Sequence, residues 1–122
     1  MDKLYIFGLE NPDKLEDSVY VADPSVKKLF KIDLDSKPSC ARKNFSFCCS
    51  DQYKFYIFGG INTEEELMNT VEVFDITQYQ WQVIETKGIS PSPRQGHSAV
   101  IIDNHMFIFG GTPGKDLENA DP

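Results

Sequence analysis

The stretch Gly110-Gly111-Thr112-Pro113-Gly114-Lys115-Asp116 follows an apolar run and offers three glycines and a lysine, the raw material of a phosphate cradle. A working cradle needs backbone N–H groups at fixed spacing, a lysine for the phosphates, and a hydroxyl next to it for magnesium. Here the spacing is one residue short of GxxxxGK, and Asp116 stands where the hydroxyl belongs. The stretch reads instead as a turn after a strand. The two histidines, His97 and His105, each begin a strand with no Cys or carboxylate cluster at metal-ligand spacing, so structural hydrogen bonding is the expected role for His97. Acidic and hydroxyl residues are plentiful, yet two histidines so placed do not complete a nucleophile, base and orienter set. No catalytic residue, cofactor or metal is expected.

Cys40, Cys48 and Cys49 are odd in number and lack CxxC spacing, which argues against both a disulfide framework and a zinc site. Reduced thiols and an intracellular, cytoplasmic setting are expected, with Cys48 and Cys49 as small buried apolar residues on an inner strand. The sequon Asn44-Phe45-Ser46 falls at the start of that strand, where glycosylation is not expected. A net charge of −7 would repel a phosphate backbone, so no nucleic-acid partner is expected. No run of 18 apolar residues and no leader pattern appear, so no membrane association is expected either.

The elements that must carry these residues show themselves as a repeat. Leu4-Tyr5-Ile6-Phe7-Gly8, Phe55-Tyr56-Ile57-Phe58-Gly59 and Met106-Phe107-Ile108-Phe109-Gly110 recur at a step of 51 residues. Leu15, Leu67 and Leu117 keep nearly the same step, Val19 to Asp23 answers Val71 to Asp75, and Arg42 to Ser46 answers Arg94 to Ser98. The register slips by one residue in a turn, where an insertion disturbs least. Each period reads as four short strands, since β-branched and aromatic clusters are divided by Gly, Pro, Asn and Asp without a helical stripe. In the complete copy these fall at about 44–50, 54–59, 70–75 and 80–85. The first two are nearly continuous in apolar residues, whereas Glu72, Gln80, Gln82 and Glu85 interleave the last two. Burial is therefore expected to fall from the first strand to the fourth, the gradient of a propeller blade, not of a sandwich.

These residues resemble the kelch repeat. The di-glycines Gly59-Gly60 and Gly110-Gly111, the pair Phe74-Asp75, Trp81 six residues later, and Pro93-Arg94-Gln95-Gly96-His97-Ser98 together match its pattern over nearly the whole chain. The glycines are expected to make room for the indole of Trp81. The first copy is degenerate: Leu9 follows Gly8, Ala22 precedes Asp23, Phe30 replaces the tryptophan, and Asn44-Phe45 replaces Gly-His. The resemblance implies an all-β kelch-type β-propeller fragment of four-stranded antiparallel blades, about nine strands in an unclosed ring. Residues 1–34 would supply the last three strands of one blade, 44–86 a complete blade, and 96–122 the first two strands of a third. Kelch rings usually close with five to seven blades, and six would need about 300 residues at this period. A piece of a larger propeller, or self-association through exposed blade faces, is therefore expected.

The family resemblance also implies a protein-protein interaction module, a scaffold or adaptor surface whose partner is not named by these residues. The alternative is a piece of a propeller enzyme whose catalytic residues lie elsewhere; no copper or iron ligand set of such enzymes is recognisable. In a four-stranded blade, the loops from strand two to strand three share a face with the connections between blades. Those loops, Leu9–Asp17, Ile61–Asn69 and Thr112–Ala120, are acidic, with Glu64, Glu65 and Glu66 consecutive in the second. The connections instead carry Arg42 and Arg94, and matching arginines in some kelch adaptors contact acidic peptides. Candidate partner-binding residues are thus Arg42, Arg94, Glu64, Glu65 and Glu66.

Overall fold

The computed structural model describes residues 3–7, 10–11, 14–15, 18–32, 34, 41–50 and 53–113. All regular structure in these residues is β. In chain order the strands are β1 (Leu4–Phe7), β2 (Glu10–Asn11), β3 (Lys14–Leu15), β4 (Val19–Asp23), β5 (Lys28–Lys31), β6 (Arg42–Lys43) and β7 (Ser46–Cys49). They continue with β8 (Lys54–Phe58), β9 (Ile61–Asn62), β10 (Val71–Asp75), β11 (Gln80–Ile84), β12 (Ser98–Ile102) and β13 (His105–Phe109). The central sheet is an antiparallel meander ordered β11-β10-β8-β7, flanked in sequence by a three-stranded sheet β1-β4-β5 and a two-stranded sheet β12-β13. The four-stranded sheet has the make-up of one blade, and among the described residues the antiparallel sheets do not close into a ring, as in an all-β partial propeller. The expected strand ranges of the middle blade agree with β7, β8, β10 and β11 to within two residues at each end.

The hairpins follow from local chemistry. After β10, the Asp75 carboxylate accepts from the Thr77 backbone N–H at 2.8 Å and from its hydroxyl at 2.6 Å, fixing the turn that leads into β11. Asp23 does the same with Ser25 at 2.9 and 2.5 Å between β4 and β5. The turns close through Tyr79 at φ 53° and Lys27 at φ 52°. The aspartate of the Phe-Asp pair is thus a turn-maker. These hydrogen bonds, the side-chain one first, hold both carboxyls below the usual carboxylate range. Between β12 and β13, Asp103 and Asn104 both take positive φ, 49° and 62°, as a two-residue hairpin requires.

The core sits where the first blade meets the second. Phe7 lies 5.1 Å from Phe55, 5.6 Å edge-on to Phe74, 5.8 Å edge-on to Trp81 and 5.9 Å from Phe47, measured between ring centroids. Phe74 is wholly buried and packs 5.1 Å from Trp81. Such aromatic contacts add to the burial of apolar area itself.

The expected gradient of burial is corrected. The third strand is the most enclosed, with Glu72, Val73 and Phe74 all buried, while on the first strand Phe47 and Cys49 are exposed. β10 has a hydrogen-bonded neighbour on each side, and its face meets the first blade; among the described residues β7 pairs on one edge only. Cys48 is half-buried and Cys49 exposed, so the expectation of two buried thiols gives way as well. Partial burial still pushes both thiols upward in pKa, keeping them protonated at neutral pH.

Candidate interaction surface

The two-residue ribbon β6-β9 ties a blade-to-blade connection to the loop after strand two, with Arg42 opposite Asn62 and Lys43 opposite Ile61. From this base Asn62 organises the acidic loop. Its side-chain oxygen accepts from the backbone N–H groups of Glu64 and Glu66, both at 2.9 Å, and its amide donates to the Glu66 carboxylate at 3.2 Å. The Glu65 N–H bonds the Asn62 carbonyl at 3.1 Å, and Ile61 bridges to Leu67. Glu64, Glu65 and Glu66 are all exposed on this turn. The loop is therefore a short, internally bonded structure that presents three acids. Of the other two acidic loops, residues 9, 12–13, 16–17 and 114–120 lie outside the described residues, as do Lys115 and Asp116 of the glycine-rich stretch and the connection residues 35–40.

The two arginines occupy equivalent positions with different surroundings. Arg42 Nη1 donates to the Gly59 carbonyl at 3.2 Å and to the Thr70 hydroxyl at 3.3 Å, and Nη2 is paired with Glu72. Arg42 is 2% exposed and Glu72 fully buried. The expectation that Arg42 meets a partner directly is corrected, because its fork is spent inside the blade on a carboxylate that sequence alternation had put on the wet side. Arg94 Nη1 donates to the Gly110 carbonyl at 3.1 Å, the twin of the Gly59 bond, but Nε and Nη2 turn back to Ser92 at 3.1 and 2.8 Å. Its side chain is only half-buried. The Arg94 N–H also bonds the Met68 carbonyl at 3.2 Å, which seats this connection against the foot of the acidic loop.

The remaining motif residues form the lock between second and third blades. At Gly59, φ +70°, a Cβ would stand 2.7 Å from His97 Cε1 and 2.8 Å from the Arg94 carbonyl oxygen. At Gly60, φ +93°, it would meet the Lys43 carbonyl at 2.7 Å, as at Gly111, φ +88°, it would meet the Gln95 carbonyl at 2.7 Å. The di-glycine thus makes room for the incoming connection, not for the indole; Trp81 packs on Phe7 and Phe74 instead. His97 is 7% exposed, bonds the Phe58 carbonyl through Nε2 at 2.9 Å and stands edge-on to the Phe58 ring. Burial pushes its pKa down, opposed by the Phe58 bond and reinforced by nearby Arg94, so it is neutral at physiological pH and Nε2 is the donor. That is the structural role expected for it. His105 bonds the carbonyl of Asp103 at 2.8 Å in an exposed turn.

Asn62, Glu72 and Thr77 are the residues that sequence reasoning passed over. Thr77 and Ser25 were visible as hydroxyls two residues after each repeat's aspartate, whereas Glu72 carries no local sign of its distant partner. Asn44 takes φ 57° where the second copy has Gly96 at φ 69°, so an asparagine does the glycine's work in the degenerate copy. It is exposed, not buried, and its amide donates to Gln95 at 2.9 Å.

A family profile described as the KLHDC2/KLHL20/DRC7 Kelch-repeats domain matches residues 1–120. Among curated proteins, the chain is 38% identical over 110 residues to tip elongation aberrant protein 3 of Schizosaccharomyces pombe, covering 75% of this chain and 10% of that protein. It is 37% identical over 94 residues to the Rho GTPase-activating protein gacHH of Dictyostelium discoideum, covering 77% of this chain and 6% of that one. With the human Rab9 effector protein with kelch motifs it shares 28% identity over 115 residues, 93% of this chain and 31% of the relative. The chain therefore spans less than a third of the length of each of these relatives.

Proposed function

Because this chain belongs to the kelch-repeat family, we propose that it supplies part of a non-catalytic protein-binding surface, with the Glu64-Glu65-Glu66 turn as the contact for a basic segment of the partner. The observation that carries this reading is the Asn62-centred turn. Its glutamates are exposed while their backbone is held by hydrogen bonds at 2.9 Å, so little conformational entropy remains to be lost when a partner docks. Three adjacent carboxylates also attract a cationic segment before contact, raising its association rate at low salt. Support comes from the human relative whose name joins kelch motifs to the role of a Rab9 effector, a role in which a module binds another protein. In this reading the module works in the cytoplasm, a setting supported by the free thiols of Cys48 and Cys49.

The test compares affinity-purified partners of the wild-type chain with those of the Glu64→Lys/Glu65→Lys/Glu66→Lys variant, with folding monitored by circular dichroism. The reading expects a defined set of partners that is lost on charge reversal and weakens with rising salt. An unchanged set from a folded variant would overturn it.

A further inference from the structure

The loop that joins β8 to β10 places a hydroxyl directly before the three acids. Both strands lie within the four-stranded sheet, so the loop's setting comes from the whole blade. Thr63 is exposed there, and among the described residues its side chain has no hydrogen-bond partner. The adjacent Asn62 is committed to the turn through both its side-chain oxygen and its amide. Glu64, Glu65 and Glu66 follow Thr63 at once, all exposed. No other serine or threonine in the sequence has an acidic residue three places on, so the pattern belongs to this hydroxyl alone. An alkyl hydroxyl is a weak nucleophile until a base activates it. Neither histidine serves: His97 is buried against Phe58, and His105 is bonded to Asp103 in another turn. Thr63 is therefore suited to be a substrate, not a catalyst.

We infer that Thr63 is a phosphorylation site, the acceptor for a protein kinase that selects acidic residues on the C-terminal side of its target. In the transfer, Thr63 Oγ1 bonds to the γ-phosphorus of ATP, the bond from that phosphorus to the ADP oxygen breaks, and the hydroxyl proton passes to the kinase's catalytic carboxylate. A kinase of this class meets the three carboxylates with basic side chains, which steer and hold the segment. The segment must extend to enter such a site, and the turn permits that locally. Its hydrogen bonds run between Asn62 and residues 64–66, whereas the chain is clamped beyond them by the Met68 N–H on the Gly60 carbonyl at 2.9 Å. Opening the exposed tip therefore leaves the strands paired. The product adds about −1.5 to −2 of charge beside the acids. The assignment stands on the hydroxyl and its sequence neighbours, and holds whether or not a basic partner docks on the turn.

The test incubates the folded chain with ATP and purified casein kinase II and maps phosphate by tandem mass spectrometry, with a synthetic peptide of residues 58–70 run alongside. A single phosphate on Thr63 is expected, retained at the same position in Thr63→Ser and absent in Thr63→Val. Glu64→Gln/Glu65→Gln/Glu66→Gln should lower kcat/KM about tenfold or more, since it removes the charges that the kinase reads. Each glutamine keeps an oxygen that can accept from Asn62, and circular dichroism checks each fold. Should a variant unfold, the mapped position in the wild-type chain decides alone. Phosphate on the peptide but not on the folded chain, phosphate on another residue, no phosphate on either, or equal kcat/KM for the folded glutamine variant would each overturn the inference.

Discussion

Replacing Arg42 with Ala leaves the Glu72 carboxylate in a fully buried position without its guanidinium, and it also strips donors from the Gly59 carbonyl and the Thr70 hydroxyl. Two effects oppose each other in such a pair. Bringing both charges out of water costs several kcal/mol, and their attraction in the interior returns about as much, so the intact pair contributes little net stability. Removing one partner loses the attraction and keeps the desolvation, at a cost of about 3–5 kcal/mol. Against a whole-chain stability of roughly 6–18 kcal/mol for a domain this long, that is a large share. Replacing both residues with apolar ones, Arg42→Met with Glu72→Leu, should instead fall within about 2 kcal/mol of wild type. Trp81 is the sole tryptophan and packs 5.1 Å from Phe74 on β10, so its fluorescence in a urea titration reports the blade that contains the pair. A single substitution costing less than about 0.5 kcal/mol, or a double replacement worse than the single, would refute the reasoning.

Gly59→Ala should destabilise by about 3 kcal/mol or more, since it adds a clash with the Arg94 carbonyl to the roughly 1–2 kcal/mol of left-handed backbone strain; Gly110→Ala, at φ +66° with open space around it, should show the strain alone. Paired urea titrations measure the difference, and equal losses would contradict the packing account. Asp75→Ala should lower the melting temperature more than Asp75→Asn, because the amide oxygen can still accept from Thr77; equal melting points would remove the turn from the explanation. His97, whose folded pKa is depressed, binds protons less readily than in the unfolded chain, so its contribution to stability is full above its ordinary value of about 6.5 and is lost as pH falls below it. A stability-pH profile should show this acid limb in wild type and lose it in His97→Gln, while a second limb near the ordinary carboxylate range, from Asp23 and Asp75, persists.

Strand positions were legible because they depend on local patterns: aromatic and β-branched clusters, a 51-residue step, and turn residues at fixed offsets. What escaped was whatever depends on a partner far along the chain. Glu72 sits in an alternating strand and reads as solvent-facing until Arg42, thirty residues earlier, is brought over it by the β6-β9 ribbon. Likewise the di-glycine announced a missing Cβ without saying what fills the space, and the nearest large residue in the motif, Trp81, was the wrong occupant. Candidate contacts divided along the same line. The three glutamates form a local turn and stayed together, whereas the paired arginines, alike in sequence, have different partners among the described residues, Glu72 for Arg42 and Ser92 for Arg94.

The degenerate first copy shows what the motif residues do by what replaces them. Phe45 stands in the place of His97 and has no ring nitrogen with which to bond the preceding blade's strand-two carbonyl. The junction it serves is nevertheless well packed, because Phe7 there collects Phe47, Phe55, Phe74 and Trp81 around it. At the next junction the twin of Phe7 is Phe58, which meets the imidazole edge-on and relies on the 2.9 Å bond to its carbonyl. One junction is closed by aromatic area and the other by a buried hydrogen bond. Aromatic packing tolerates small displacements, while a hydrogen bond weakens steeply as its geometry degrades. Loss of consensus in the first copy is therefore not loss of cohesion, and sensitivity to single substitutions should concentrate at the junction whose motif is intact.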